Sequence, residues 1–392
     1  MAHLRFALAC SFKQLPHFER RSVMFPIVAE KYQYVAGIDT HAKKHVVTVV
    51  NNLGVTIATR DIKVVPKQIE QFLDWLIKIT ANATSANTNS NANADADTNV
   101  LLAIEGTSSY GETLTKAAIA RKLDIAEVKP PKTKSRGGTG KTDLIDSRLA
   151  AINILSLPIT KLAKPRTGNQ RKALRILLGA RRNLVTQQTM NKNALTALLR
   201  SIELGIDVRK SLTRPDYKLI ATWHIKSSDS SIDWLTAKRE AKRLASNIAT
   251  TSNELDNNKL ALINIVNKLV PNMLDQPGFG PVSLAQVICS YSHKGRIHSA
   301  EAFATLAGTT PIPASSGNTN HYRLNHYGDR QLNHALTTIV IARMRTDENT
   351  KQYVTKRTND GLSTRDVRRS LKRYVARSLF KQLESHDISA SS

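Results

Sequence analysis

Two short apolar runs in this chain end alike. Tyr34-Val-Ala-Gly-Ile closes on Asp39, and Val100-Leu-Leu-Ala-Ile closes on Glu105, with Gly106 next. Continuous apolar runs of this length read as buried strands, so each carboxylate falls at a strand end. A third acidic motif follows, Lys141-Thr-Asp-Leu-Ile-Asp-Ser-Arg-Leu-Ala-Ala151, with Asp143 and Asp146 three residues apart. Thr142 suits an N-cap, and Leu144, Ile145, Leu149, Ile152 and Leu155 form an apolar stripe, so the spacing predicts a helix. Helical side chains at i and i+3 lie about 5–6 Å apart at Cβ and can share a cation. Acids on a first turn also answer the helix dipole, which by itself is the commoner reason for them. The two strand ends change the balance. Four carboxylates converging on one point repel unless divalent cations neutralise them, which is the arrangement of a two-metal phosphodiester-cutting site.

Charge supplies the partner class. Lys and Arg number 57 against 31 Asp and Glu, a net charge of +26 and a pI near 10.2. Such a field attracts polyanions, and counterion release supplies non-specific affinity for nucleic acid. An anionic membrane surface could use the same charge, but no apolar run approaches the ~20 residues that span a bilayer. Cys10 and Cys289 are the only cysteines and lack metal-ligand spacing, which points to a reducing compartment without a disulfide framework.

At 392 residues the chain has room for two or three domains. Residues 1–31 read as an extension, with Met24 as the expected true start. Strands are expected at 34–39, 45–51 and 55–62, then a helix at 68–79 and a low-complexity Asn/Ala/Thr insert over 80–99, too poor in large apolar groups to pack. The 105 strand leads into a helix at 112–122 and a short strand at 125–128. A basic, Pro/Gly-opened segment, Lys129–Lys141, suits a phosphate backbone through Arg136 and Lys141. Gly140-Lys-Thr142 mimics a nucleotide-binding loop, but Ser135 stands where that motif needs glycine. From 165 to 270, two apolar stripes, the second close to a 3.5-residue spacing, predict a linker that is a long antiparallel helical hairpin or coiled coil. Gln276-Pro-Gly-Phe-Gly-Pro then has the cadence of a helix-hairpin-helix element, or of a tight interhelical turn. Beyond it, a loop carrying Ser315, Ser316 and Gly317 precedes Arg323 and Arg330. No histidine pair shows metal-ligand spacing, so His41 and His45 are expected to have surface or core roles.

Taken together and in order, Gly37-Ile-Asp39, Ile104-Glu-Gly-Thr107 with Tyr110, and Lys141-Thr-Asp-x-x-Asp-Ser-Arg148 resemble the DEDD domain of the insertion-sequence "one-ten" transposases, recombinases guided by a bridge RNA. Pro277-Gly-Phe-Gly280, Phe303-Ala-x-x-Ala-Gly308, Thr310-Pro311 and Ser315-Ser-Gly317 are similar to that family's serine-bearing domain. The resemblance covers roughly 32–385. It implies an α/β RNase H-like, RuvC-type catalytic domain over 32–160, the linker over 165–270, a mainly α serine-bearing domain over 271–385 and a tail over 386–392. Asp39, Glu105, Asp143 and Asp146 would hold two Mg²⁺ ions, and Ser316 would be the nucleophile. Arg136, Lys141, Arg323 and Arg330 are the candidate nucleic-acid contacts. The implied partners are donor and target DNA, a noncoding guide RNA and further copies of the chain, as dimer or tetramer, in the cytoplasm at the nucleoid. The chain departs from the family pattern in its leader, its Asn-rich insert and His326-Tyr327 before Gly328, where a basic residue is common. The implied reaction is cut-and-rejoin through a phosphoserine link that preserves bond energy for religation. The alternatives are a RuvC-like junction resolvase or nuclease using water, and an inactive nucleic-acid-binding scaffold.

Overall fold

The computed structural model describes residues 26–85, 99–129, 142–225, 231–314, 322–386 and 388. Residues 1–25 of the expected extension, Arg136, Lys141, Ser315, Ser316 and most of the Asn-rich run lie outside the described residues. Residues 26–31 of that extension pack against the fold, with Val28 fully buried and its amide donating to the Leu157 carbonyl at 3.0 Å. The chain divides into two compact units. One comprises the residues up to Glu105 with Ala117–Asp124 and Lys129–Leu162; the other comprises Gly106–Lys116, Ile125–Val128 and everything from Ala163 onward.

The first unit carries β1 to β4 of a mixed sheet whose strand order is β3-β2-β1-β4-β5. Its strands are β1 (Tyr34–Thr40), β2 (Lys44–Asn51), β3 (Thr56–Lys63), β4 (Val100–Glu105) and β5 (Asp124–Val128). β1 and β2 run antiparallel, as do β2 and β3, whereas β1 and β4 run parallel in a register from Tyr34↔Val100 to Ile38↔Ile104. All seven residues of β1 are buried: the apolar run Tyr34–Ile38, as a central strand demands, and Asp39 and Thr40 at its end. β3, at the edge, is polar and mostly exposed, a composition that protects a free edge. Asn51 closes the β2–β3 turn by accepting from the amides of Leu53 and Val55, and Gly54 takes the positive φ of +81° that the turn needs.

Four helices accompany the sheet: α1 (Val28–Lys31), α2 (Pro66–Ser85), α3 (Glu112–Ala120) and α4 (Asp143–Leu155). Pro66 opens α2 at a position where a missing amide costs nothing, and Phe72, Leu73 and Leu76 are fully buried on it. Each such side chain contributes roughly 1.5–3 kcal/mol. α2 runs six residues beyond the expected stop at Ile79. Thr80 does not break it because its hydroxyl donates back to the Leu76 carbonyl (2.9 Å), and alanine at 81 favours continuation.

α4 begins where its sequence predicts, with the Thr142 hydroxyl accepting from the Ile145 amide at 3.3 Å. Its buried face differs from the expected aliphatic stripe. Leu155 is buried as expected, but Leu144 is exposed, Ile145, Leu149 and Ile152 are only partly covered, and Ser147, Ala150, Ala151 and Ile154 are buried. Small residues are needed because α4 crosses β1 at Gly37. A Cβ on Gly37 would collide with the Ser147 carbonyl and stand 2.6 Å from the Ala151 nitrogen. Ser147 then satisfies its buried hydroxyl on Thr48 of β2 (2.7 Å).

The second unit is helical. α5 (Asn169–Ser201) and α7 (Ile232–Leu269) pack along each other, with α6 (Arg214–Ala221) against α7. Leu174 and Leu178 share a core with Leu262, Val266 and Leu269, while Leu195 and Leu199 share another with Ala241, Leu244 and Ile248. The start of α5 therefore meets the end of α7, and the pair is antiparallel. A polar seam joins the two cores: Arg181 donates to the Leu255 carbonyl, Gln188 to Ser252 and Asn258 to the Leu177 carbonyl. The first of those cores continues through α8 (Pro281–Tyr291), α9 (Ala300–Leu306), α10 (Arg330–Thr346), α11 (Glu348–Asn359) and α12 (Thr364–Ser385), where Tyr291, Phe303 and Phe380 meet at ring-centroid distances of 6.1–6.4 Å. A two-residue ladder pairs β6 (Ile312–Pro313) with β7 (Tyr322–Arg323). The Pro277–Gly280 turn is covered by α10: Arg343 donates to the Pro277 carbonyl and lies over the Phe279 ring, and Gly278 has φ of +80°. Among the described residues, no helix is long and apolar enough to cross a membrane.

Candidate metal centre and relation to known families

Parallel pairing of β1 with β4 sets the geometry. One residue past the Ile38↔Ile104 pair, Asp39 and Glu105 occupy adjacent strand ends and face the same side of the sheet. The two ends are tied by Thr40, whose hydroxyl donates to the Glu105 carbonyl at 2.8 Å. The α4–Gly37 contact brings the first turn of α4, with Asp143 and Asp146, toward Asp39. Asp39 and Asp146 are nearly buried, at 7% and 5% exposure, and Asp143 is half-exposed.

Asp39, Asp143 and His41 are close enough to share an ion, each offering a ligand atom within 4.8 Å of the others. His41 Nε2 lies 3.2 Å from Asp39 Oδ2 and 3.5 Å from Asp143 Oδ1. Burial pushes the Asp39 carboxyl above its usual range; His41 opposes that shift, and Asp143 and Asp146 reinforce it. A buried carboxylate crowded by two more acids is relieved by a cation. The donor set of carboxylate oxygens with one imidazole fits a divalent ion such as Mg²⁺ or Mn²⁺. Glu105 borders this cluster through its strand end but is not one of the three mutually close ligands.

His41 is the residue that the sequence concealed. It lies just past β1 in the tight β1–β2 connection, two positions from Asp39, and that spacing is its only local signal. His45, paired with Thr40 on β2, is fully buried with neither ring nitrogen in hydrogen-bond geometry. Burial holds it below its usual pKa, helped by His41; the Lys44 backbone acts the other way. Beside Asp143 lies an open cleft of about 460 Å³ lined by Lys44, Arg60, Asp61 and Leu144, among others. Within it Lys44 pairs with Asp61 at 2.9 Å, and Arg60 lies over the Trp75 ring. In the helical unit, Arg323 sits exposed on β7 and Arg330 opens α10.

Known families now place these features. Residues 36–203 match the family model for IS110-type DEDD transposases, described as "Transposase", and residues 271–355 match the "Transposase IS116/IS110/IS902 family". Among curated proteins, none matches the chain. The fold and the two matches define a transposase, an enzyme that acts on DNA. The chain belongs to the IS110 transposase family.

Proposed function

We propose that this transposase cuts and rejoins DNA through a serine nucleophile assisted by divalent metal, under the guidance of a noncoding RNA. The observation that carries the reading is the meeting of Asp39 and Asp143 within ligand distance, with Asp146 near enough to act on Asp39. Asp39, Glu105, Asp143 and Asp146 are the ligands of two Mg²⁺ ions in an RNase H-like, RuvC-type domain, a reading supported by the β3-β2-β1-β4-β5 order in which β2 runs antiparallel to both its neighbours and β4 parallel to β1. Bound there, divalent cations supply charge neutralisation and Lewis-acid polarisation of a scissile phosphate.

The protein's own groups do the rest. Asp39, buried and hard to ionise alone, fixes the ligand cluster to the rigid central strand. His41 bridges Asp39 and Asp143 and holds the pair together before metal arrives. Ser316 Oγ attacks phosphorus: a serine–phosphate ester forms, one ester oxygen leaves as a strand-end hydroxyl, and the serine proton passes to a base. The link stores the ester energy, so the second strand exchange needs no nucleotide. The family's DNA substrate and the +26 charge support long nucleic-acid contacts, which Arg323, Arg330, Arg136 and Lys141 serve. Further copies of the chain complete the assembly.

Strand cleavage by the Asp143→Asn and Asp146→Asn variants in Mg²⁺ tests the metal assignment. The expected result is loss of cleavage by at least 100-fold, on the order of ~2.7 kcal/mol in the barrier, with retained RNA binding. Cleavage at the parent rate by either variant removes the four-carboxylate site.

A further inference from the structure

The second unit contains a pocket of about 580 Å³ whose walls come from the 307–311 loop, the 324–330 segment, α10 and α12. Arg330, Arg369, Lys372 and Arg373 line it together with His326 and His334, and no carboxylate does. The walls are held in place. Gly308 (φ +66°) and Gly328 touch so closely that a Cβ on Gly328 would stand 2.5 Å from Gly308 Cα and 2.9 Å from the Leu306 carbonyl. The Asp329 amide donates to that same carbonyl at 2.7 Å, and Asn333 donates to the Ala307 carbonyl at 2.7 Å.

Lys372 is the telling group. It is half-buried, its ammonium donates to the neutral Asn333 side-chain oxygen at 3.0 Å, and burial with neighbouring Arg369 lowers its pKa. Arg369 has a carboxylate partner in Asp366, at 2.8 Å. Among the described residues, Lys372, Arg330 and Arg373 make no ion pair with a carboxylate. Three cations gathered without acids in one concave site repel each other unless an anion enters. Tyr327 on that wall segment and Tyr322 on β7 just before it are 77% and 69% exposed, aromatic faces of the kind on which bases stack.

We propose that this pocket is a phosphodiester-binding site, gripping the backbone of a nucleic-acid strand through Lys372, Arg330 and Arg373. The inference rests on the chain's action on DNA and is independent of Ser316 and of the acid cluster, so it stands or falls without them.

The test uses the full chain and labelled single-stranded DNA and RNA 20-mers of one sequence. Affinity is measured by fluorescence anisotropy across a KCl series for Arg330→Ala, Arg373→Ala and Lys372→Gln. The last variant keeps a donor for Asn333. Each removed phosphate contact lowers the slope of log affinity against log salt by roughly 0.7 for a single strand, and the Arg330→Ala/Arg373→Ala pair by about twice that. Lys210→Ala, on an exposed loop outside the pocket, leaves the slope unchanged. A loss confined to the DNA or to the RNA arm identifies the strand and supports the site. Parent slopes in both arms for the double variant, with a parent-like melting curve, overturn it. So does a pocket that inorganic phosphate fills at millimolar concentration without displacing either strand.

Discussion

The backbone of Gly37 lies so close to the Ser147 carbonyl that no side chain fits between β1 and α4 at that point. This one contact fixes where the first turn of α4 stands relative to Asp39, and so sets the spacing of the acid cluster. Gly37→Ala must push the helix outward against backbone atoms. The expected loss of stability is on the order of 1–3 kcal/mol, with metal-dependent cleavage falling further than stability alone explains. Thermal melting and cleavage assays on the same preparation check it; a variant that melts and cleaves like the parent would contradict the packing.

Asp39 is held against its own charge by burial and by Asp143 and Asp146. Asp39→Asn therefore leaves the melting temperature of the metal-free protein unchanged or higher. It abolishes the rise in melting temperature that Mg²⁺ or Mn²⁺ produces in the parent. Scanning calorimetry with and without metal reads both effects. A metal-induced rise of parental size in the variant would show that Asp39 is not a ligand.

His41 joins two acids that would otherwise repel. For His41→Ala we expect weaker divalent-ion binding by roughly 10–100-fold, the range seen when a group orienting metal ligands is lost. Isothermal titration with Mn²⁺ measures it, and His41→Gln should recover part of the affinity. Unchanged binding in both variants would make His41 a bystander.

The strand ends and the helix start that position the acids were legible in the chain. Asp39 and Glu105 stood out because β1 and β4 are buried strands with unbroken apolar sequences, and Thr142 announced the start of α4. The buried face of α4 was not legible. Large aliphatic residues dominate its sequence, whereas the neighbouring glycine backbone selects Ser147, Ala150 and Ala151, a choice visible only once the strand is in place. His41 was hidden for a similar reason, since a turn residue comes within reach of two acids only when a distant helix arrives. In α5, the expected stripe was right at Leu174 and Leu195, which are fully buried, but beside them it took Leu177 and Leu198 where Leu178 and Leu199 are the buried positions.

A second pH-sensitive group lies in the helical unit. His293 is buried near Arg296, Lys164 and Arg171, with Ser292 and Thr167 beside its ring, and burial together with those cations lowers its pKa from 6.5 to about 4. Below the unfolded value the unfolded chain takes up a proton that the folded one refuses. Stability is thus complete above about pH 6.5 and declines as pH falls toward 4, by on the order of 3 kcal/mol at most. Urea titrations between those limits should show a shallower decline for His293→Gln. An identical decline in parent and variant would assign the acid sensitivity elsewhere.

The serine assignment decides the enzyme's chemistry, and trapping a covalent protein–DNA adduct tests it most directly. The parent chain, incubated with guide RNA, donor and target DNA and Mg²⁺, then denatured, should carry a DNA strand that migrates with the protein. Ser316→Ala should still bind RNA and DNA yet give no adduct and no recombinant product, while Ser315→Ala keeps most of both. An adduct formed by Ser316→Ala but not by Ser315→Ala would move the nucleophile by one residue. Strand cleavage by both variants with no adduct from any of the three proteins would replace the serine with water.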